Sequence, residues 1–474
     1  MTGHELLNPG AWRTASLTDD SAVIQALLDV EVAWVRAQRS LGLVDDAVVR
    51  VVADAGSAAA YEVGAIARRG ESGGNPVLPL LTDMRSAVAE RSSNAAEALH
   101  RGLTSQDALD SAFMLVASRT LGALRGSLLA AADALAGLAD EHRATVMVGR
   151  TLGQAALPIT FGLKAAGWLG AVTDAVVEIG ATAASLPVQC GGAVGSLAAI
   201  DAMVPGEALR AADLLADELG LSSPGRPWHT DRGPVTRCGD AMVRTADVMG
   251  KIASDVLLLS RPELGELAEP VAEGRGASST LPQKRNPVLS VLIRSVAIEA
   301  PHLGALLHAA AALAVDERSD GAWHAEWSTL VRLLARVSSA GSQLEELLAG
   351  LQVNATEMRH HVDDAGPAIL SERLVAAVRN LPEAADIPDD LVGLLKQGAS
   401  TGKVRDLLRS RVPTENLSDG ELDRLLDPTT YLGVSDVLID RALERHRALE
   451  RHPRWSVTAR WAAVIAGDRA GGAR

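Results

Sequence analysis

Residues 288–315 read VLSVLIRSVAIEAPHLGALLHAAAALAV. Val288, Leu289, Val291, Leu292, Ile293, Val296 and Ile298 crowd the first turns, and leucine and alanine continue almost to the end. A helix that is apolar nearly all round has no face to give to water. It must be surrounded, by its own bundle or by other subunits. This stretch therefore predicts a mainly α protein built on long central helices, and it predicts oligomerisation.

The flanking sequence agrees. Most segments carry apolar residues at helical spacing, with alanine and leucine dominant and β-branched alternation rare. Ser21–Gly42 places Val23, Ile24, Leu27, Leu28, Trp34 and Val35 on one face, and Gly42 supplies a stop. Asp240–Arg261 repeats the pattern through Val243, Met249, Ile252, Val256 and Leu259. Long helices are also expected near Asp107–Ala139, Ile159–Leu186 and Trp327–Leu351. Beyond residue 351 the helices shorten, charge becomes denser, and Gly366-Pro367 and Leu381-Pro382 punctuate the chain. The expected division is an N-terminal helical domain (1–105), a central long-helix domain (106–351) and a C-terminal helical domain (352–474).

Bulk properties narrow the function. The 474-residue chain carries a net charge of −14, which disfavours a nucleic-acid partner because a phosphate backbone needs a basic face. Aromatic residues are only 3%, so stacking platforms for bases or sugars are not expected. Cys190 and Cys238 offer neither a disulfide framework nor metal-ligand spacing, which fits a reducing cytoplasm. No basic region followed by an apolar core opens the chain. The apolar run Gly304–Val315 is too short to span a bilayer and contains His308. A soluble, cytoplasmic protein with no metal, no cofactor and no membrane partner is expected.

Immediately before the opening stretch lies Gly274-Arg-Gly-Ala-Ser-Ser-Thr-Leu-Pro-Gln-Lys-Arg-Asn-Pro287. Two glycines free the backbone, Ser278 and Ser279 supply hydroxyls, and a proline-stiffened turn carries Lys284, Arg285 and Asn286. Such a loop can hold an anion against N–H donors, a cation and an amide, with a hydroxyl beside the reacting carbon. Taken alone it also fits a basic surface loop. Thr104-Ser105-Gln106-Asp107 has the Thr-x-x-Asp pattern of a helix start, where free N–H groups also bind carboxylates. Gly149-Arg150-Thr151-Leu152-Gly153-Gln154, ending at Pro158, reads as a loop before a helix.

Together these blocks resemble the fumarase/aspartase superfamily. Ala277-Ser278-Ser279-x-Leu281-Pro282-x-Lys284-x-Asn286 is similar to its signature Gly-Ser-Ser-x-Met-Pro-x-Lys-x-Asn, with Ala277 and Leu281 departing. The resemblance implies a three-domain, mostly helical fold with long helices sharing a homotetrameric core. Active sites would form where blocks from three subunits meet. It also implies Ser278 as the base that removes a proton next to a carboxylate. Ser279, Lys284 and Asn286 would contact substrate, the latter two stabilising the dianionic intermediate. Thr104, Ser105, Thr151, Gln154 and Arg318 would anchor other carboxylates, with His229 beside them. In fumarases and argininosuccinate lyases a histidine and a glutamate stand where this chain has Leu152 and Val291.

That paired loss is chemical information. A general acid contributes roughly 10²–10⁴-fold when a poor leaving group must be protonated. An amine or hydroxide leaves badly, whereas a carboxylate or nitrite leaves well unaided. Further blocks, including Gly74-Asn75-Pro76, Gln189-Cys190-Gly191-Gly192, Pro227-Trp228-His229-Thr230 and Trp323-His324-Ala325-Glu326-Trp327, look like those of bacterial 3-carboxy-cis,cis-muconate cycloisomerases. The resemblance implies a small di- or tricarboxylate substrate. Reversible lactonisation of 3-carboxymuconate is the first expectation. Nitrite elimination from nitrosuccinate is the second, and adenylosuccinate cleavage the third. Arg101, Leu103 and Ala277 lean toward a specialised relative. A non-catalytic scaffold of the kind found in lens crystallins is disfavoured by the retained Ser278, Lys284 and Asn286.

Overall fold

The first long helix shows how local chemistry sets the elements. The Asp19 carboxylate accepts from the Ala22 N–H at 2.8 Å, satisfying one of the orphan donors of a helix start. Helix α1 (Asp20–Ser40) follows, and Ile24, Leu27, Leu28, Trp34 and Val35 are buried as its pattern predicts. This computed structural model describes residues 5–277, 280–281, 283–379, 381 and 386–451.

The other long helices are α2 (Ser105–Glu141), α3 (Phe161–Ala184), α4 (Gly233–Leu259), α5 (Val288–Ala312) and α6 (Gly321–Ala349). Each covers a segment expected from its periodicity. Between α2 and α3 stands an antiparallel hairpin, β1 (Val146–Thr151) and β2 (Gln154–Thr160). The sequence reading of a loop with a helix starting after Pro158 is corrected here. Leu152 and Gly153 take positive φ values of 49° and 80°, which closes a two-residue turn between Thr151 and Gln154. Helix α3 begins only at Phe161. A second short pair joins β3 (Leu267–Ala268) to β4 (Gln352–Val353), after which α7 (Ala355–Ala365) starts the run of shorter helices.

Two compact units emerge, each drawn from three stretches of chain. The first gathers the residues up to Leu129 with Asp174–Ala253 and Val291–Glu345. The second gathers Ala130–Thr173, Ser254–Ser290 and the residues from Glu346 on. This partition follows packing and differs in kind from the chain-order division at 105 and 351.

In the first unit α4 and α5 cross closely, because a side chain on Gly250 would strike the Cβ of Ala297. Leu121, Leu128, Ile252, Ile293 and Leu307 are almost completely buried. Among the described residues, part of α5 stays exposed. Val291, Ile298 and Leu306 are 50%, 64% and 42% exposed. In the second unit Val146 and Val148 of β1 join Val362, Leu374, Leu391, Leu408 and Leu422 in one core. Each such residue contributes about 1.5–3 kcal/mol by burial.

By length and composition alone, α2 and α5 are long and apolar enough to cross a bilayer, each with a mean hydropathy of 1.3 in its best 18-residue window. The short Gly304–Val315 run understates this, because both windows stay apolar while including an occasional charge.

Candidate active site

The candidate residues fall into two groups, one in each unit. In the first unit the N-terminus of α2 carries Thr104 and Ser105, both half-buried. The Thr104 N–H donates to Asp107 at 3.0 Å, which is half of a capping box. The Thr104 hydroxyl accepts instead from Arg318 at 2.9 Å. Thr104, Ser105 and the exposed Arg318 therefore stand together: a cation, two hydroxyls and a helix N-terminus, the donor set that a carboxylate requires.

Asp107 organises what lies beneath. Fully buried, it accepts from the N–H groups of Gly191 and Gly192 at 2.9 Å each and pairs with His229 Nε2 at 2.8 Å. His229 is 3% exposed, and its carbonyl accepts from Gln106 at 2.8 Å. It thus sits one layer below Thr104, holding the glycine turn and the α2 terminus together through Asp107. Beside His229, the Trp228 indole donates to the Val188 carbonyl at 2.8 Å.

A second buried layer surrounds Arg232. Its guanidinium donates to both oxygens of Asp110 at 2.8 and 2.9 Å and to Glu326 at 2.7 Å, and it lies 4.8 Å from the centre of the Trp228 ring. Trp323 Nε1 adds a bond to Asp110 at 2.9 Å. Burial works against the Arg232 charge, but the Asp110 and Glu326 carboxylates outweigh it and raise the pKa above the usual arginine value. For Glu326 burial wins and raises its pKa, with Arg232 pulling the other way. This network locks the segment leading from Arg318 to the body of α2.

A cavity of about 990 Å³ also lies in the first unit, lined mostly by apolar side chains such as Ile24, Ile66, Phe113 and Leu303. It includes Gly74, Asn75 and Pro76 but none of Thr104, Ser105, His229 or Arg318.

The second unit holds the other group. Thr151 and Gln154 flank the tip of the β1–β2 hairpin and are exposed. Between them Leu152 projects with its side chain fully exposed. Next to the tip, Arg150 donates twice to Glu266, at 2.9 and 2.7 Å.

The glycine-rich loop is closed at its neck. The Asn286 N–H and its side-chain amide both donate to the Gly276 carbonyl, at 2.9 and 3.1 Å, and Ala277 bridges Arg285. Gly276 has φ +67°, and any side chain there would strike the Asn286 backbone. Lys284 is exposed on the loop. Ser278 and Ser279 lie outside the described residues. Sequence reasoning passed over the supporting carboxylates. Asp107 and Asp110 were visible in the motif block from His100 to Ser111, but Glu266 and Arg232 carried no local signal because their partners lie far away along the chain.

The sequence profile of a lyase family matches residues 49–301. The chain is 44% identical over 430 residues to a nitrosuccinate lyase of Streptomyces davaonensis, covering 90% of each protein. It belongs to the fumarase/aspartase superfamily of lyases. The lyase is also 36% identical to a 3-carboxy-cis,cis-muconate cycloisomerase of Bradyrhizobium diazoefficiens, covering 93% of this chain and 96% of that one. Its fold matches the crystal structure of a 3-carboxy-cis,cis-muconate lactonizing enzyme from Pseudomonas putida with a TM-score of 0.83 at 34% identity, over 93% and 97% of the two chains. The mainly helical fold is that of the superfamily, and the protein is an enzyme of its lyase and cycloisomerase group.

Proposed function

We propose that this lyase eliminates nitrite from nitrosuccinate to give fumarate. At the hairpin tip, exposed Leu152 has no proton to offer a leaving group, which suits nitrite and carboxylate leaving groups alike and disfavours an amine or hydroxide. The observation that carries nitrosuccinate over a carboxylate-releasing substrate is the similarity, over 90% of each chain, to a nitrosuccinate lyase at 44% identity.

In this account Ser278 removes the proton from C3, next to the C4 carboxylate. The C3–H pair becomes the C2–C3 double bond, the C2–N bond breaks, and its pair leaves with nitrite. Negative charge builds on the C4 carboxylate, where Lys284 and the loop N–H groups stabilise it. Thr104, Ser105 and Arg318 hold a carboxylate at the α2 terminus, and Thr151 and Gln154 hold another. Nitrite departs as a stable anion, so Leu152 in place of an acid costs nothing. We further propose that the enzyme works as a soluble cytoplasmic homotetramer without a cofactor.

The second reading is lactonisation of 3-carboxymuconate, favoured by the similarity to the Pseudomonas putida enzyme. Its reverse direction expels a carboxylate and also needs no acid. Colorimetric nitrite release from nitrosuccinate tests the first reading. Ser278→Ala is expected to lower it by roughly 10²–10⁴-fold, the range of a lost general base. Near-normal turnover by that variant removes Ser278 from the mechanism.

A further inference from the structure

Three segments of the second unit converge on four residues, Glu266-Leu-Ala-Glu269, to which the mechanism assigns nothing. Glu266 is completely buried, and both of its oxygens are engaged. Oε2 accepts from Arg150 at 2.9 Å, while Oε1 takes Arg150 at 2.7 Å and His361 Nδ1 of α7 at 2.7 Å. Arg150 directly precedes Thr151 and stands at an irregularity in the β1–β2 register, between Val148 and Arg150. A strand is easily redirected at such a point. The bidentate grip removes that freedom, so the direction of the hairpin tip is set by Glu266.

Three residues on, Glu269 accepts from the N–H groups of Leu289 and Ser290, at 3.0 and 2.7 Å, and from the Ser290 hydroxyl at 2.6 Å. This is a carboxylate cap on the first turn of α5, where the helix dipole favours negative charge. The capped residues follow directly on the loop 274–287. Glu269 therefore fixes one end of that loop, as Gly276 and Asn286 fix its neck.

The two carboxylates diverge because side chains alternate along an extended chain. The intervening β3 is pinned to β4 through Leu267–Val353 and Ala268–Gln352, and the Glu266 carbonyl accepts from the Asn354 N–H at 2.9 Å. One held backbone thus carries both contacts.

We propose that Glu266 and Glu269 are positioning residues with separable jobs. Glu266 sets the hairpin that presents Thr151 and Gln154, and Glu269 sets the loop that presents Ser278 and Lys284. The kinetic half of this inference rests on the substrate reading above; the mechanical half does not.

The test uses the isosteric variants Glu266→Gln and Glu269→Gln, read by hydrogen–deuterium exchange and by kinetics on nitrosuccinate. Glu269→Gln is expected to speed exchange in 274–292 and to lower kcat roughly tenfold with KM within about twofold, because the base loses its alignment. Glu266→Gln is expected to speed exchange in 146–160 and to raise KM roughly tenfold with a smaller change in kcat, because a binding segment loosens. Arg150→Lys keeps the charge but loses the fork, and is expected to reproduce the Glu266→Gln pattern. Unchanged local exchange, or the same kinetic pattern in all three variants, overturns the proposal. If the wild type releases no nitrite, the substrate reading fails, while the exchange maps still decide the positioning.

Discussion

Arg232 is the residue whose removal the fold should tolerate least. It is 3% exposed and is shared by Asp110 and Glu326, so its loss strands two buried carboxylates. Arg232→Met is expected to lower stability by about 3–5 kcal/mol, measured by urea unfolding. The deficit should also depend on pH. Burial already raises the Glu326 pKa, and Arg232 opposes that rise. Without Arg232 the folded-state pKa climbs further above the unfolded one. A raised pKa gives stability that is present at low pH and lost as pH rises through the folded value. The gap between wild type and Arg232→Met should therefore widen from acid to neutral pH; a constant gap contradicts the assignment. Leu152 offers the opposite case. It is fully exposed and sits at φ 49°, a conformation that costs an L-residue roughly 1–2 kcal/mol. Leu152→Asn should raise the melting temperature slightly while lowering kcat/KM, the signature of a strained residue kept for function.

At the scale of elements, the helices were legible and the hairpin was not. Helix periodicity repeats over many turns, so α1, α2, α4, α5 and α6 stand out from single residues that disagree. The β1–β2 hairpin is short, and its turn is Leu152-Gly153 rather than a familiar Asn-Gly pair. Its core-facing residues Val146 and Val148 pack against helices more than two hundred residues away, which no local pattern records. The site was legible to a similar degree. The hydroxyls, lysine and asparagine that would touch substrate occur in compact motifs. Glu266 and Glu269 do not, because they acquire their roles only when distant segments of the chain arrive.

For the whole molecule, the exposed stripe on α5 is the outstanding feature. Val291 and Ile298 are separated by one heptad, and Leu306 continues the line. Exposed apolar side chains of this kind, interspersed with the exposed Arg294 and His302, fit an interaction surface. A homotetramer is our proposal for its occupant. Ile298→Glu should leave the chain folded, since Ile298 is 64% exposed within it, while lowering the native mass and the activity together. Sedimentation equilibrium reads the mass; an unaltered tetramer, or a fully active monomer, contradicts this account.

The leaving group can be decided by a comparison of two substrates. The same preparation of enzyme is given nitrosuccinate and 3-carboxy-cis,cis-muconate in parallel, with nitrite formation and loss of diene absorbance as the two readouts. The kcat/KM for nitrosuccinate is expected to be at least about a hundredfold higher, with equal amounts of nitrite and fumarate formed, a margin of roughly 3 kcal/mol in transition-state binding. Rapid loss of the diene with no nitrite release would contradict that expectation and assign the enzyme to lactonisation.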